Sequence, residues 1–304
     1  MQNLLLLLLC FALGVLARRS NAFPADSHKV VTAWVMLVSL PALTFRSIHG
    51  VTIDSTLLVG AGLLWLVFLV PAALVWFLVR RRGGSRELLG ATLLCAGLSN
   101  TAFVGLPLIE ALGGKESLGP AAVIDQLGSF LSLFLFAIPF ATVLGGQTLS
   151  ARESLQKLAR SPAIIALILA VVLRDVAVPA ELDGLLARLA EMMSPLALAV
   201  IGWQLDLSSL KGNGARVAVG LGWKLALAPL MVLGVLWAWR GHIGPIERII
   251  VAQSAMAPMV TAGVVAADHK LAPGLAAALI AIGVPLSLLT VPLWWNLFGS
   301  SFVK

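Results

Sequence analysis

The sequence predicts an all-α membrane protein with ten transmembrane helices, arranged as two inverted repeats of five. Three observations predict this fold class: an apolar composition, ten apolar runs, and prolines that recur at nearly constant spacing. Of the 304 residues, 60% are hydrophobic and only 12% are charged, about half the charged share of a soluble domain. The mean hydropathy is +1.00. Lipid is therefore the solvent expected around most of this chain.

Apolar runs of roughly 17–25 residues predict the transmembrane helices. The first run precedes Arg18 and Arg19, whereas a secretory signal carries its positive charge before the apolar run. We therefore expect a retained first helix whose N-terminus lies outside. The ten predicted spans cover residues 3–17, 29–48, 55–79, 88–112, 119–144, 161–175, 186–205, 215–239, 246–267 and 271–298.

Basic residues are distributed unevenly between the two sides of the predicted membrane. Thirteen Lys and Arg residues fall on the side that receives the loop between the first and second spans, and seven fall on the other side. The positive-inside rule makes the first side cytoplasmic and places both termini on the periplasmic or extracellular side. The net charge of +7 is then explained by basic residues in the loops that set the orientation of the protein in the membrane, and no nucleic-acid partner is expected.

An internal repeat is visible in the prolines of spans two to five and seven to ten. Five spans per repeat is an odd number, so the second repeat enters the membrane from the opposite side. Inverted repeats of this kind are common in secondary transporters, although a duplication kept only for stability is the alternative. The predicted units are 1–144 for the first repeat, 145–160 for a short cytoplasmic linker and 161–304 for the second repeat. The matched prolines are Pro41 and Pro195, Pro71 and Pro229, Pro107 and Pro258, and Pro139 and Pro292, at offsets of 154, 158, 151 and 153 residues.

The fourth and ninth spans combine polar residues with proline. Inside a helix, a proline removes one main-chain hydrogen bond and clashes with the carbonyl four residues earlier, so Pro107 would strip the carbonyl of Phe103. We interpret both spans as broken helices whose free N-termini bind an anion at one site. A kink without a ligand is the alternative. The predicted substrate-binding residues are Asn100, Thr101, Pro107, Gln253, Ser254 and Pro258.

Three further polar residues lie inside predicted spans: Asp125 and Gln126 in the fifth and Lys224 in the eighth. An ionisable residue within a span is by default a functional hypothesis. Asp125 is a candidate proton site or a charge that offsets Lys224, and the alternative for Lys224 is snorkelling to the interface. We assign all three to coupling or support. We expect no cofactor and no metal site, and the choice between H⁺ and Na⁺ coupling stays open.

Two segments resemble motifs of the auxin efflux carrier family, whose bacterial members include proteins described as malonate or malate transporters. They are GLSNTAFVGLPLIEALGG and AQSAMAPMVTAGVVAADHKLAPGLAAALIAIGVPLSLLTVPLWW. The resemblance extends over essentially the whole chain, including PALTF in the second span and SPLALAVIGWQL in the seventh. The long central cytoplasmic loop of the plant members is missing.

The resemblance implies a fold similar to that of sodium/bile-acid symporters. Helices 1, 2, 6 and 7 would form a scaffold that dimerises, and helices 3–5 and 8–10 a transport domain with crossed helices 4 and 9. Asn100 matches the crossing asparagine that binds the substrate carboxylate in plant members, and Pro107 and Pro258 match the crossover prolines. Gln126 resembles a glutamine of the family's polar support site. The seventh-span asparagine of plant members has no match here, so auxin itself is not expected.

We therefore expect a secondary transporter for small organic anions, mono- or dicarboxylates such as malonate or malate. It would work in a bacterial inner membrane by an elevator-like alternating-access mechanism, as a homodimer surrounded by lipid. One alternative is a membrane sensor or assembly protein on a transporter-like fold. An intramembrane enzyme is disfavoured because all four histidines lie in loops or at span ends, and no catalytic constellation is visible at depth.

Overall fold

The computed structural model describes residues 2–20, 23–24, 26–82, 85–146, 151–205 and 213–297. Within these ranges the chain is helical, and the only extended pairing is one isolated bridge between two helix breaks. Residues 147–150 of the predicted linker and 206–212 and 298–304 of the predicted second repeat lie outside the described residues. The helices are α1 (Gln2–Ser20), α2 (Ser27–Ile48), α3 (Ser55–Arg82), α4 (Arg86–Gly97), α5 (Thr101–Gly113), α6 (Lys115–Leu144), α7 (Ala151–Ala159), α8 (Pro162–Val172), α9 (Ala180–Gln204), α10 (Gly214–Arg240), α11 (Pro245–Ser254), α12 (Val260–Asp268) and α13 (Pro273–Leu297).

Six helices of the described chain are long and apolar enough to cross a membrane, namely α2, α3, α6, α9, α10 and α13. They coincide with the second, third, fifth, seventh, eighth and tenth predicted spans. The fourth predicted span consists of two half-helices, α4 and α5, and the ninth consists of α11 and α12. Each half is too short to cross alone, because 30 Å of hydrocarbon needs about 20 helical residues. The full count of ten spans in two inverted repeats stays a prediction.

Helix α1 packs closely along the second half of α9. A Cβ atom added to Gly14 would lie 2.0 Å from the carbonyl oxygen of Ala199, and one added to Gly202 would lie 2.1 Å from that of Phe11. Only glycine allows the two backbones to approach so closely, which is the way small residues join helices in membranes. Helices α2 and α8 complete this group by packing on each other, and α9 also packs on α2.

The remaining long helices pack around the half-helices. Helix α3 contacts α4, α6 and α11, while α13 contacts α4, α11 and α12, and α10 contacts α4 and α11. The two groups meet where α9 lies against the start of α5 and α2 lies against α6. The breaks between half-helices therefore lie in the interior of the protein, where main-chain groups without helical partners are tolerated.

Four prolines follow a five-residue π-helical turn by two positions. A proline cannot donate to the carbonyl four residues earlier. In each case the residue before the proline donates to the carbonyl five residues earlier, so the wider π pairing is already in place where the proline enters the helix. The helix therefore continues through the proline, and our prediction that Pro107 breaks the fourth span was wrong. The four turns are Val35–Ser39 before Pro41, Thr101–Gly105 before Pro107, Leu133–Ala137 before Pro139 and Trp223–Leu227 before Pro229.

Two indole groups bind carbonyls that prolines deprive of their α-helical donor. Trp223 Nε1 donates to the carbonyl oxygen of Val67 at 3.3 Å, which lies four residues before Pro71. Trp294 Nε1 donates to the carbonyl oxygen of Leu225 at 2.9 Å, which lies four residues before Pro229. Neighbouring helices thus satisfy polar main-chain groups that lipid could not.

Candidate functional site

The two helix breaks meet and pair with each other in the interior of the protein. Helix α4 ends at Gly97 and the backbone becomes extended at Leu98, where φ is −95° and ψ is 127°. The main-chain N–H of Asn100 donates to the carbonyl of Ala257 at 2.8 Å, and that of Met259 donates to the carbonyl of Leu98 at 3.0 Å. These two bonds form an antiparallel bridge centred on the pair Ser99 and Pro258. Each break therefore satisfies main-chain groups of the other.

Pro258 fits this bridge because it lies at the pair whose own N–H groups do not join the strands. The two bonds come from the flanking residues, so a residue without an N–H costs the pairing nothing. The partner of Pro258 is Ser99, which is eight residues before Pro107. Our match of Pro107 with Pro258 as equivalent break points was therefore wrong, because Pro107 lies inside α5.

Asn100 begins the second half-helix of the first break. Its side-chain Oδ1 accepts from the main-chain N–H of Phe103 at 3.2 Å, as expected of an N-terminal cap. The other end of the same amide, Nδ2, is buried and has no hydrogen-bond partner among the described residues. A buried amide without a partner costs free energy, so this N–H group is available to a ligand.

Helix α12 begins at Val260, immediately after the second break, and Met259, the N-cap residue before it, provides no side-chain cap. The first amides of a helix have no partner within the helix and carry positive partial charge. Helices α5 and α12 thus both begin beside the bridge, and their positive dipole ends lie close together there.

A cavity of about 330 Å³ borders both N-termini. It lies between the bridge, the α6 helix, and the α2 and α9 helices of the other group. Most of its lining is apolar, and among the residues that the structure describes no Lys, Arg or His contributes to it. The lining residues are Thr32, Met36, Leu40, Asn100, Ala102, Phe103, Asp125, Phe130, Leu133, Phe134, Ser161, Val200, Ile201, Gln204, Met259, Val260 and Thr261.

Asp125 lies at one edge of this cavity in a π-helical turn of α6. Thr101 Oγ1 donates to Asp125 Oδ1 at 2.5 Å, and Gln126 Nε2 donates to Asp125 Oδ2 at 2.8 Å. Both carboxyl oxygens are therefore engaged, and the side chain is only 2% exposed. Thr101 follows directly on Asn100, so the carboxyl group is tied to the crossing through one hydroxyl.

Lys224 lies in α10 and reaches the crossing from the side of the ninth span. Its Nζ donates to the Ser99 hydroxyl and, at 3.2 Å, to the carbonyl oxygen of Ser254. The residue is fully buried, so the alternative that it snorkels to the interface was wrong. Asp125 and Lys224 bind different residues and form no ion pair with each other, so the alternative in which Asp125 offsets Lys224 gains no support from a direct contact.

Gln253 completes the polar surroundings of the crossing. Its Nε2 donates to the carbonyl of Ala121 at 3.3 Å, and its Oε1 is buried without a partner among the described residues. This oxygen faces Gly105, where an added Cβ would lie 2.4 Å away. Gln253 therefore connects α11 to α6 and packs against the first turn of α5.

Eight of the nine residues predicted from the sequence lie at or next to the crossing, and Pro107 lies farther along α5. Sequence reasoning missed Ser99, the amides that open α12, and the cavity walls supplied by α2 and α9. Ser99 could have been found from the sequence, because it directly precedes Asn100. No signal in the sequence indicated the apolar walls, because their residues do not differ in type from those that face lipid.

Half-helices that meet at a break beside an internal cavity are the architecture of multi-pass membrane transport proteins. The chain belongs to the membrane transport protein family, whose model matches residues 1–295. This match confirms the resemblance to the auxin efflux carriers. A protein from Methanothermobacter thermautotrophicus, described as an uncharacterized transporter, is 23% identical over 299 residues, and the alignment covers 96% of each chain.

Proposed function

We propose that the protein is a secondary carrier for small organic anions, and that the anion binds where the N-termini of α5 and α12 meet the cavity. One observation carries this proposal: the cavity borders both N-termini and the free Nδ2 group of Asn100, yet the described residues that line it include no basic side chain. Main-chain amides and dipole ends can hold a carboxylate in such a place without a paired cation. Thr101, Gln253, Ser254 and Pro258 would hold the two breaks in the geometry that presents these donors.

The cavity favours one carboxylate on an apolar body over malonate or malate. Among the described lining residues, the donors at the bridge form one cluster, and Phe103, Phe130 and Phe134 are among the apolar side chains of the walls. A second carboxylate beside the bridge would lie among apolar groups or near Asp125, where desolvation and like charge both oppose it. The other polar lining residues, Thr32, Ser161 and Gln204, belong to helix ends on the predicted cytoplasmic side. The cavity volume of about 330 Å³ is at the lower end of the range for small-molecule sites.

The arrangement of the two helix groups supports an elevator mechanism. The scaffold would contain α1, α2, α8 and α9, and the transport domain would carry the crossing. The cavity reaches Thr32, Ser161 and Gln204, which lie at helix ends on the predicted cytoplasmic side. At the opposite end, Lys115 of α6 pairs with Glu191 of α9 at 3.4 Å. These contacts fit a state open to the cytoplasm of a bacterial inner membrane, with both termini outside and the scaffold forming a homodimer.

Coupling to H⁺ or Na⁺ remains part of the proposal. An inside-negative membrane drives anions outward with about 2.3 kcal/mol per charge per 100 mV, so efflux needs no coupling ion and uptake does. Asp125, which contacts both the crossing and Gln126, is the candidate proton site. A sensor or assembly protein on the same fold is the second candidate function, and it differs from a carrier by the absence of substrate flux.

The test is flux by the purified protein in liposomes, with a panel of labelled mono- and dicarboxylates and imposed pH, Na⁺ or voltage gradients. Asn100→Ala should abolish flux because it removes both the free donor and the cap of α5, while the melting temperature falls only by the few degrees that a lost cap costs. Asp125→Asn should erase any dependence on the pH gradient. Full flux from Asn100→Ala would exclude the crossing as the binding site, and a wild type without flux for any carboxylate would favour the sensor.

A further inference from the structure

Lys224 is a buried lysine whose amino group binds one oxygen from each helix break. Its Nζ donates to the Ser99 hydroxyl of the first break and to the Ser254 carbonyl at the end of α11. The side chain is 0% exposed, and no carboxylate of the described chain lies within ion-pairing distance of it. Burial of a charge is costly unless it is compensated, so the compensation here must come from oxygen dipoles.

The helix ends around Lys224 supply this compensation. Helices α4 and α11 both end at the crossing, at Gly97 and Ser254. Helix C-termini carry negative partial charge and unpaired carbonyls, and they favour a cation. The crossing therefore separates charge: its positive N-termini face the cavity, and the amino group of Lys224 binds at its C-terminal side, to the carbonyl that ends α11.

Main-chain carbonyls at the C-terminal ends of half-helices are also the groups with which broken-helix carriers coordinate a coupling cation. We propose that the Lys224 ammonium permanently occupies the cation position of this crossing, so that the protein works without Na⁺ there. The inference deepens the proposed carrier function and rests on it for its effect on transport. It assigns Lys224 as a positioning residue that keeps the two breaks together.

The first test is a thermal unfolding measurement that needs no substrate. Purified wild type and Lys224→Ala are compared in NaCl, in methylammonium chloride and in the chloride of the bulky cation N-methyl-D-glucamine. The variant leaves Ser99 Oγ and the Ser254 carbonyl facing a space that a small cation can enter. We expect Lys224→Ala to melt below wild type in the bulky cation and to recover by a few degrees, saturably, in Na⁺ or methylammonium. Wild type should melt at the same temperature in all three salts.

Lys224→Met is the matched control, because it fills the same space without a charge. It should be destabilised and should gain nothing from either small cation. Recovery of Lys224→Met to the same extent as Lys224→Ala would overturn the proposal, since the effect would then be unrelated to the vacated position. The absence of any recovery in Lys224→Ala would overturn it as well.

Flux in liposomes is the second test. Wild-type carboxylate flux should be equal in Na⁺ and in N-methyl-D-glucamine, whereas Lys224→Ala should be inactive in the bulky cation and regain flux in Na⁺ or methylammonium. Na⁺-dependent flux or Na⁺-dependent stability of the wild type would overturn the proposal even if Lys224→Ala does not fold. If the wild type moves no carboxylate, the carrier proposal fails, and the melting experiment still decides the role of Lys224.

Discussion

At the scale of single residues, the crossing uses each polar group for a different task. Asn100 caps α5 with its oxygen and leaves its nitrogen free. Ser99 accepts from Lys224, and Thr101 donates to Asp125. Three consecutive residues thus connect the bridge to the cavity, to a buried lysine and to a buried carboxyl group. Main-chain hydrogen bonds join the two breaks, and these side chains add further contacts around them.

Gly283 shows how tightly this site is supported. An added Cβ at Gly283 of α13 would lie 2.4 Å from Cδ of Pro258, and a proline ring cannot rotate away. Gly283→Ala should therefore displace the bridge, lower the free energy of unfolding by about 1–3 kcal/mol and reduce carboxylate flux. Melting temperature and liposome flux measure the two effects.

Gly234→Ala is the control for this substitution. Gly234 lies in α10, and nothing is found within 4 Å of its added Cβ. Alanine there should leave flux unchanged and should be neutral or slightly stabilising, because it raises helix propensity. If the two alanine variants have the same melting temperature and the same flux, the position of Pro258 does not depend on the space at Gly283.

At the scale of elements, some prolines lie inside continuous helices and one lies in a helix break. Sequence alone located every proline, but it could not show which of them breaks a helix. Pro107 is accommodated by the π turn Thr101–Gly105, whereas Pro258 lies in a true break. The difference comes from tertiary partners: the break at Ser99 needs the second break opposite it. A rule that considers one helix alone, such as the loss of one hydrogen bond at a proline, cannot predict a break whose partner lies in another span.

Replacement of Trp294 tests whether a neighbouring helix compensates for a hydrogen bond that a proline removes. The indole N–H donates to the Leu225 carbonyl, which lacks an α-helical donor because Pro229 follows four residues later. Trp294→Phe should cost about 1–2 kcal/mol of unfolding free energy, the penalty of a buried carbonyl left without this donor. The measurement is the melting temperature of the purified protein in detergent.

A double-mutant cycle makes this prediction specific. Pro229→Ala restores a main-chain N–H opposite Leu225, so Trp294→Phe should cost less in that background than in the wild type. Trp34→Phe is the control, because Trp34 is 44% exposed on α2 and should tolerate phenylalanine in either background. If Trp294→Phe costs the same unfolding free energy in both backgrounds, the indole N–H does not compensate for the main-chain N–H that Pro229 lacks.

At the scale of the whole molecule, composition and hydropathy predicted the helical membrane architecture well. Six predicted spans correspond to long apolar helices, and the fourth and ninth correspond to pairs of half-helices. Burial of Lys224 and the apolar cavity walls could not be predicted, since both depend on which helix faces lie inside. A leucine that faces lipid and one that lines a cavity look alike in a membrane sequence, because both environments are apolar.

The proposed elevator motion gives a prediction about the contact between the two helix groups. Lys115 of α6 and Glu191 of α9 pair across the boundary between the proposed transport domain and scaffold. Both side chains are well exposed, at 72% and 65%, so the pair adds little stability. A short thiol-specific cross-linker between Lys115→Cys and Glu191→Cys should abolish carboxylate flux, because the domains could no longer slide. Cys10 and Cys95, which are buried free thiols, are first replaced by alanine.

The control is a second pair on the same side of the protein but within one helix group. Arg46 of α2 and Asp183 of α9 pair at 2.8 Å, and both belong to the proposed scaffold. Cross-linking Arg46→Cys to Asp183→Cys should leave flux close to that of the uncross-linked variant, because rigid-body motion preserves distances within the scaffold. Cleavage of the first cross-link should restore flux. Normal flux while the first link is intact would exclude sliding between these helix groups, and equal loss from both links would place the motion inside the scaffold.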